Sequence, residues 1–395
     1  MKRALLQASS GILAVLVNCT LSAQAFAQAP SLPPPAPFPV AFQKAVGDVL
    51  SAATIPSGSK ADLLIDPLVD GNTGAQSTTT RSMELQIRQL IEAKFADKYQ
   101  VRPFTAENVA KAPLLLIGTF TPIHATANAV GPRDAYRLCF ALVDLKAKVI
   151  LSKGFARAIS DGINAVPTPA FAESPFWQLD PAVRGYIRTC QGPKAGDSIN
   201  PDYVDKVEVA SIISEAIVAY DKRDYAGALA LYQQARRVPG GDQLRVHNGL
   251  YLTNWKLNRQ AEAKNALSNL VEYGLKGERL GVLMLFVVNS TKFVPGMISQ
   301  SYPSWLSAIA ERALANNACL ELVGHSSRTG PEAWNERLSA ARAEAVKDRI
   351  SKLSPTLVKN LKSEGKGWHE SIIGTGRDNA TDAIDRRVEF KVVKC

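Results

Sequence analysis

The last third of the chain alternates strand-like and helix-like segments, and this order limits the fold more than any other feature. The strand-like runs are 283–289, 320–323, 372–376 and a last one from residue 385. Helical periodicity marks 305–314 and a longer segment that opens near residue 335. The order predicts a β-α-β-α-β-β domain over residues 281–395, with helices packed on one sheet.

Short motifs lie at the ends of these strand-like and helix-like segments. Gly324 and His325 follow the second strand, an N-x-x-L-S-x-x-R-A segment opens the long helix, and D-R-R-V-E opens the last strand. In this order and at this spacing, residues 281–395 resemble the OmpA-like peptidoglycan-binding domain. The matching positions are Gly324, His325, Gly330, Asn335, Leu338, Ser339, Arg342, Ala343, Gly374, Gly376, Arg386, Arg387, Val388 and Glu389.

The resemblance implies a ligand, the diaminopimelate of the peptidoglycan stem peptide, whose free end carries a carboxylate and an ammonium. It places the carboxylate on Arg342, because a guanidinium makes a bidentate, charge-assisted pair. It places the family's ammonium-binding aspartate at Ser327, where this chain departs from the pattern. The candidate binding residues are Ser327, Thr329, Gly330, Asn335, Leu338, Arg342 and Arg386.

The serine at 327 leaves three hypotheses open. A neutral hydrogen bond contributes about 0.5–1.5 kcal/mol and a charged one about 1.5–3, so the change weakens binding about five- to thirty-fold. Arg328 adds repulsion toward an ammonium. Diaminopimelate is then held weakly, mainly by Arg342; or a different stem, such as an amidated one, is recognised; or the fold is kept and the ligand lost.

Each charged residue of the motif also has a structural interpretation. Arg342 is a candidate for a helix-surface ion pair with Glu336 or Glu344. At least one of Arg386 and Arg387 is expected to support the fold. His325 is interpreted as a loop anchor rather than a catalyst.

Residues 40–200 predict an N-terminal α+β domain. Strands are expected at 61–69, 114–120, 136–143 and 149–155, with a helix at 80–96 on one side of the sheet. The pattern resembles, without a specific motif, envelope lipoproteins such as activators of peptidoglycan synthases and the curli secretion lipoprotein. Residues 160–200 are predicted to be an irregular connection.

Residues 207–275 predict a helical unit. Small residues at helix crossings and aromatic residues between them resemble tetratricopeptide helix pairs, about two repeats in extent. Because such solenoids usually need about three repeats, the unit is expected to pack on a neighbour. It is either a protein-binding groove or a helical spacer.

The first 39 residues predict export. Lys2 and Arg3, an apolar run and the A-x-A site at 25–27 form a signal peptide over 1–27, cleaved after Ala27. The alternative is a lipoprotein with Cys19 as the lipidated residue. Residues 28–39 form a proline-rich linker or a disordered tail, and no other segment is apolar for the ~18 residues of a membrane span.

The chain is basic, and its charge limits the partners. The formal charge of +10 falls to +8 when Lys2 and Arg3 are removed. Such a protein is attracted to anionic polymers of the envelope. Nucleic acid is not expected, because no basic tract carries interleaved aromatic residues.

Four cysteines remain after residue 27, and no two form a C-x-x-C pair. An even number in an oxidising compartment predicts disulfides. The OmpA-like resemblance implies that the second and last strands are antiparallel neighbours, so that Cys319 at the start of one and Cys395 at the end of the other bond to each other, which leaves Cys139 for Cys190. The alternative is a pair of buried free thiols.

No catalytic motif stands out, so the sequence predicts a non-catalytic protein without a cofactor or metal. The leading hypothesis is a periplasmic envelope protein, associated with the cell wall or outer membrane, that docks on peptidoglycan. Unidentified envelope proteins are expected as further partners, and peripheral contact with the outer membrane is a further expectation. The alternative is a protein-interaction scaffold that works through the helices of 207–275 and whose OmpA-like domain has lost its ligand.

Overall fold

The computed structural model describes residues 34–55, 60–126, 129 and 131–395. The predicted signal peptide and residues 28–33 of the predicted linker lie outside the described residues. Residues 34–395 form one compact unit. Within the described ranges, no helix combines the length and apolar character needed to cross a membrane.

The N-terminal part is a mixed sheet with helices on both faces. Strands run in the order β3-β1-β4-β5-β6, with β2 beside β4. β4 is buried along nearly its whole length, which explains why its sequence is continuously apolar rather than alternating. The elements are α1 (Phe38–Ala52), β1 (Ala61–Ile65), β2 (Val69–Asp70), α2 (Thr78–Lys94), β3 (Tyr99–Val101), α3 (Ala106–Val109), β4 (Leu114–Ile123), β5 (Ala135–Asp144) and β6 (Val149–Ile159).

Several helices of this part were not predicted. α1 begins at Phe38, inside the segment expected to be a linker, and packs on β6. Gly154 permits this contact, since a Cβ there would lie 1.9 Å from the carbonyl oxygen of Ala45. The connection expected to be irregular contains α4 (Pro169–Ala172) and α5 (Pro181–Cys190). Its prolines do not break α5, because Asp180 caps the helix and Pro181 occupies the first turn.

The helical part contains α6 (Pro201–Val204), α7 (Val207–Asp221), α8 (Tyr225–Arg237), α9 (Leu244–Lys256) and α10 (Gln260–Lys276). Consecutive helices from α7 to α10 pack on one another. Gly249 admits the ring of Tyr232, because a Cβ there would lie 2.2 Å from its Cζ. The tetratricopeptide resemblance itself stays a prediction.

The C-terminal part has the predicted β-α-β-α-β-β order, and the α+β class is confirmed. Its sheet runs β7-β10-β8-β9, with β10 antiparallel to β7 and β8, and β9 parallel to β8. The elements are β7 (Arg279–Leu285), α11 (Met297–Gln300), α12 (Tyr302–Ala315), β8 (Cys319–Gly324), α13 (Glu332–Leu353), β9 (Leu361–Gly365) and β10 (Arg387–Val393).

The third strand does not lie where the sequence predicted it. It is β9, at Leu361–Gly365, rather than residues 372–376. Gly374 and Gly376 have φ of 71° and 66°, so the backbone turns there instead of continuing a strand. Among the described strands, β9 pairs only with β8, and its sequence is polar, which hid it from the apolar pattern.

One hydrophobic core joins the helical part to the C-terminal sheet, so the helical unit packs on a neighbour as predicted. Trp305 of α12 is buried within it and donates a hydrogen bond from Nε1 to the hydroxyl of Tyr251 of α9, at 2.9 Å. The limits of the separate domains stay predictions.

Both predicted disulfides are present. Cys319 pairs with Cys395 where β8 begins beside the end of β10, and Cys139 of β5 pairs with Cys190 of α5. The second bond fastens α5 to the N-terminal sheet. The alternative of free thiols does not apply to these four cysteines.

Candidate functional site

A cleft of about 580 Å³ opens beyond the end of β8. We call it the stem cleft. The loop after β8, the first turns of α13 and the segment after β7 form its walls. Among its lining residues are six of the seven predicted binding residues: Ser327, Thr329, Gly330, Asn335, Leu338 and Arg342. Their contact with a ligand stays a prediction.

Arg342 lies fully buried at the base of the stem cleft. Its Nε, Nη1 and Nη2 donate to the carbonyl oxygens of Ser290, His325 and Val287, each at 2.9 Å. Burial lowers the pKa of Arg342 to about 10, so the guanidinium stays charged at neutral pH. Arg342 therefore ties the segment after β7 to the loop after β8.

The surface ion pair considered for Arg342 is wrong. Its side chain points into the domain, where helix α13 faces the sheet, and its partners are backbone carbonyls. Glu344 instead contacts Lys347, with 3.2 Å between the charged atoms, and accepts a hydrogen bond from Ser363.

Asn335 shapes the loop that faces it. Its Nδ2 donates to the carbonyl oxygen of Thr329 at 2.6 Å and to that of Pro331 at 3.1 Å. Gly330 between them has a φ of 77°, in the left-handed region that glycine adopts without strain. Ser327, in the same loop, is 4 % exposed. Asn335 and Gly330 thus set the loop geometry that brings Ser327 to the wall.

The stem cleft also contains a carboxylate that the sequence analysis did not select, that of Asp378. The hydroxyl of Thr329 donates to its Oδ2, and Nη1 of Arg386 lies 3.4 Å from its Oδ1. Asp378 has a φ of 53°, so its backbone is in the left-handed region. No sequence motif marks Asp378. The path of the loop between β9 and β10 brings it to the cleft.

Two buried aspartates hold the loop that carries Asp378. Asp385 accepts hydrogen bonds from the backbone N–H groups of Ile372, Ile373 and Gly374, at 2.6, 3.0 and 2.7 Å. Asp382 accepts from those of Thr375, Arg377 and Asp378, at 3.1, 2.8 and 3.3 Å. Burial raises the pKa of Asp385, against the effect of these hydrogen bonds. The loop is therefore built by side chains from the segment just before β10.

Arg386 is the predicted binding residue that does not line the stem cleft. It is 5 % exposed and donates to the carbonyl oxygens of Phe286, Asp382 and Asn379. These bonds support the loop of Asp378, and contact of Arg386 with a ligand stays a prediction.

Arg387 and His325 are also buried, and both lie beside Glu389. Arg387 Nε is 3.5 Å from one carboxylate oxygen and His325 Nε2 is 3.4 Å from the other. Burial lowers the pKa of His325, so the imidazole is neutral at pH 7. Neither ring nitrogen makes a hydrogen bond with good geometry among the described residues, so the interpretation of His325 as a loop anchor stays a prediction.

Two groups of side chains in the described part could share a cation. They are His325 with Glu370 and Glu389, and Glu332 with Glu336 and His369. In the first, Arg387 already supplies positive charge to Glu389, and the second is exposed. Neither carries the chemistry of the stem cleft.

No family model matches the chain. It is 34 % identical over 95 residues to the outer membrane protein Omp38 of Acinetobacter baumannii, and this match covers 23 % of the chain and 26 % of that protein. The chain thus spans about a quarter of that relative. The prediction that the C-terminal part resembles an OmpA-like domain is confirmed.

Solved structures with a similar segment include three bacterial proteins. The peptidoglycan-associated lipoprotein of Burkholderia pseudomallei is 21 % identical, with 28 % of this chain and 86 % of that chain covered and a TM-score of 0.24. The OmpA-like domain of FopA1 from Francisella tularensis is 17 % identical, with 28 % and 73 % covered and a TM-score of 0.22. The C-terminal domain of Helicobacter pylori MotB is 16 % identical, with 28 % and 84 % covered and a TM-score of 0.24.

Proposed function

We propose that the protein is a non-catalytic cell-envelope protein that docks on peptidoglycan through the stem cleft. The ligand is the diaminopimelate end of a stem peptide. The observation that carries the proposal is one pair of opposite charges in one cleft, Arg342 and Asp378. A zwitterionic end needs such a pair.

Arg342 is the group for the ligand carboxylate. A guanidinium has five N–H donors, and three of its bonds go to the carbonyl oxygens of Ser290, His325 and Val287. Arg342 lines the cleft, and the proposal assigns its two further N–H donors to the ligand carboxylate. Because those three bonds fix the side chain, little rotamer entropy is lost when a carboxylate binds.

Asp378 is the group for the ligand ammonium, in place of the aspartate that Ser327 replaces. A carboxylate has about four acceptor positions, and Thr329 and Arg386 use two of those on Asp378. The fixed donors hold the carboxylate in place and leave acceptor capacity for an ammonium. This assignment favours the first of the three hypotheses, that diaminopimelate is still bound.

The location follows from the same proposal. Similarity to an outer membrane protein supports a place in the periplasm, at the cell wall or outer membrane. The proposal includes export of the protein, with residues 1–27 as the signal peptide. It also includes unidentified envelope proteins as partners that the helical part binds. The scaffold alternative is favoured by one observation: Arg342 is fully buried and already hydrogen-bonded to the chain's own backbone.

The test is co-sedimentation of the purified protein with peptidoglycan sacculi, with free diaminopimelate as competitor. We expect the wild type to pellet and the free amino acid to release it. Asp378→Asn should bind about five- to thirty-fold more weakly, because a charged hydrogen bond becomes a neutral one.

Asp348→Asn is the matched control, because it removes the same charge from an exposed site on α13 outside the cleft. It should bind as the wild type does. A wild type that stays in the supernatant would overturn the proposal and favour the scaffold. Equal binding by Asp378→Asn and wild type would remove Asp378 from the site.

A further inference from the structure

A second cavity, of about 190 Å³, lies where the N-terminal sheet, the helical part and the C-terminal part meet. We call it the junction cavity. Gln76 and Phe120 come from the first part, Tyr232 and Arg245 from the second, and Leu283 and Ile384 from the third. It shares no lining residue with the stem cleft among the described residues.

The wall of the junction cavity is mainly apolar. Phe120, Phe176 and Tyr232 line it and are each at most 3 % exposed. A cavity of about 150 Å³ with apolar walls binds benzene. The junction cavity therefore has room for one ring, or a short acyl chain, that carries a small substituent.

Three lining residues have a buried polar atom with no hydrogen-bond partner in the described part of the chain. These atoms are Oε1 of Gln76, Nε1 of Trp177 and Nε of Arg245. Gln76 is 1 % exposed. A buried polar group without a partner costs about 1–3 kcal/mol, and native proteins keep few of them. Three around one cavity indicate an occupant that completes their bonds.

The charge of the wall indicates the sign of that occupant. Arg245 has neither a hydrogen bond nor an ion pair to any described residue. Asp70 and Asp180 also line the cavity, but both carboxylates accept backbone hydrogen bonds, from Asn72 and Thr73 and from Val183 and Leu244 respectively. Arg245 is thus a charged lining residue without a hydrogen bond or close ion pair among the described residues, although it attracts Asp66 from a greater distance.

We propose that the junction cavity binds a small carboxylic acid with an apolar body, its carboxylate accepting from Arg245 and from the indole N–H of Trp177. The apolar body lies against Phe120, Phe176 and Tyr232. Gln76 Oε1 accepts from a hydroxyl where the ligand carries one. This site is separate from peptidoglycan docking.

The test is isothermal titration of the purified protein with phenylacetate, phenylacetamide and 4-hydroxyphenylacetate. We expect one phenylacetate per chain and at least about tenfold weaker binding of the neutral amide, since a charged hydrogen bond becomes a neutral one. The hydroxylated acid should bind more tightly than phenylacetate. Equal affinity for acid and amide would overturn the proposal, as would no binding of either acid.

Two variants locate the site. Arg245→Gln should weaken phenylacetate binding at least about tenfold, whereas Arg237→Gln, an equal charge change at an exposed position on α8, should not. Ala170→Leu adds methylene groups to the cavity wall and should abolish binding; its melting temperature reports folding. Unchanged binding in Arg245→Gln would overturn the proposal even if Ala170→Leu fails to fold.

Asp378→Asn separates this proposal from peptidoglycan docking. It alters the stem cleft alone, so phenylacetate binding should stay the same. Loss of sacculus binding with retained phenylacetate binding, or the reverse, shows which of the two sites has failed.

Discussion

The stem cleft and the junction cavity differ in how their polar groups are satisfied. In the cleft, the chain itself bonds the charged groups: Arg342 to three carbonyl oxygens, and Asp378 to Thr329 and Arg386. In the cavity, polar atoms of Gln76 and Arg245 are buried without a partner among described residues. The cleft is therefore built before any ligand arrives, whereas the cavity wall lacks partners that an occupant would supply.

The largest expected effect is on stability, at the base of the cleft. Arg342→Ala removes the donor from three carbonyl oxygens, a buried one at His325 and part-buried ones at Ser290 and Val287, and a buried group without a partner costs about 1–3 kcal/mol. We expect the free energy of unfolding to fall by about 4 kcal/mol or more, as measured by urea denaturation. Arg245→Ala, which removes no hydrogen bond, should change it by less than about 1 kcal/mol.

Arg337→Ala is the control on the same helix, because Arg337 is exposed at the rim of the cleft. Its free energy of unfolding should stay within about 0.5 kcal/mol of that of the wild type. If Arg342→Ala and Arg245→Ala lose equal stability, the comparison between a self-satisfied cleft and an unsatisfied cavity fails.

The next effect concerns the loop that delivers Asp378. Asp385→Asn puts an amide N–H where three backbone N–H groups need an acceptor. We expect a loss of about 2–4 kcal/mol in the free energy of unfolding and weaker sacculus binding, because Asp378 is no longer held. Asp378→Asn should weaken binding with little loss of stability. Full sacculus binding by a folded Asp385→Asn would contradict this role of the loop.

Sequence and structure agree where the signal is local. The strands and helices of residues 281–395 follow one another in the predicted order, and the predicted binding residues from Ser327 to Arg342 line one cleft. Each of these features depends on neighbours within one or two turns or on an apolar run. Strand β9 escaped prediction because an edge strand does not need an apolar face.

The features that the sequence could not supply depend on contacts between distant segments. Asp378 reaches the stem cleft only because Asp382 and Asp385 fold the preceding loop. The junction cavity joins Gln76, Arg245 and Ile384, which no spacing rule connects. Arg342 was considered for a surface ion pair with Glu336 or Glu344 of the same helix, whereas its partners are backbone atoms from other segments.

A pH measurement extends the comparison to two buried carboxyl groups of the N-terminal part. Burial raises the pKa of Glu84 from 4.5 to about 7 and that of Asp66 from 3.8 to about 6. Arg245 acts electrostatically on Asp66. The folded state then holds protons that the unfolded state releases, so stability is greatest below about pH 4.5 for these groups and falls as pH rises toward 7.

We expect these two groups to lower the free energy of unfolding by about 1–3 kcal/mol between pH 4.5 and 8. Thermal denaturation across this range measures the change. Glu84→Gln, which keeps an acceptor for the backbone N–H of Leu68, should flatten the curve. Glu92→Gln on the exposed side of α2 should leave it unchanged. A curve for Glu84→Gln as steep as that of the wild type would contradict the raised pKa.

The smallest expected effect is that of Ser327→Asp on sacculus binding. It decides whether Asp378 binds the ligand ammonium in place of the family's aspartate at position 327. If Asp378 already supplies the carboxylate, Ser327→Asp should tighten sacculus binding by no more than about threefold, less than the five- to thirty-fold expected for a missing charge. In the Asp378→Asn background, the same substitution should restore most of the lost affinity, because either position then presents the carboxylate. A full five- to thirty-fold gain in the wild-type background would mean that the cleft lacks an ammonium partner and that Asp378 serves only the loop. No gain in either background would mean that the ligand end is not cationic, which favours an amidated or otherwise modified stem.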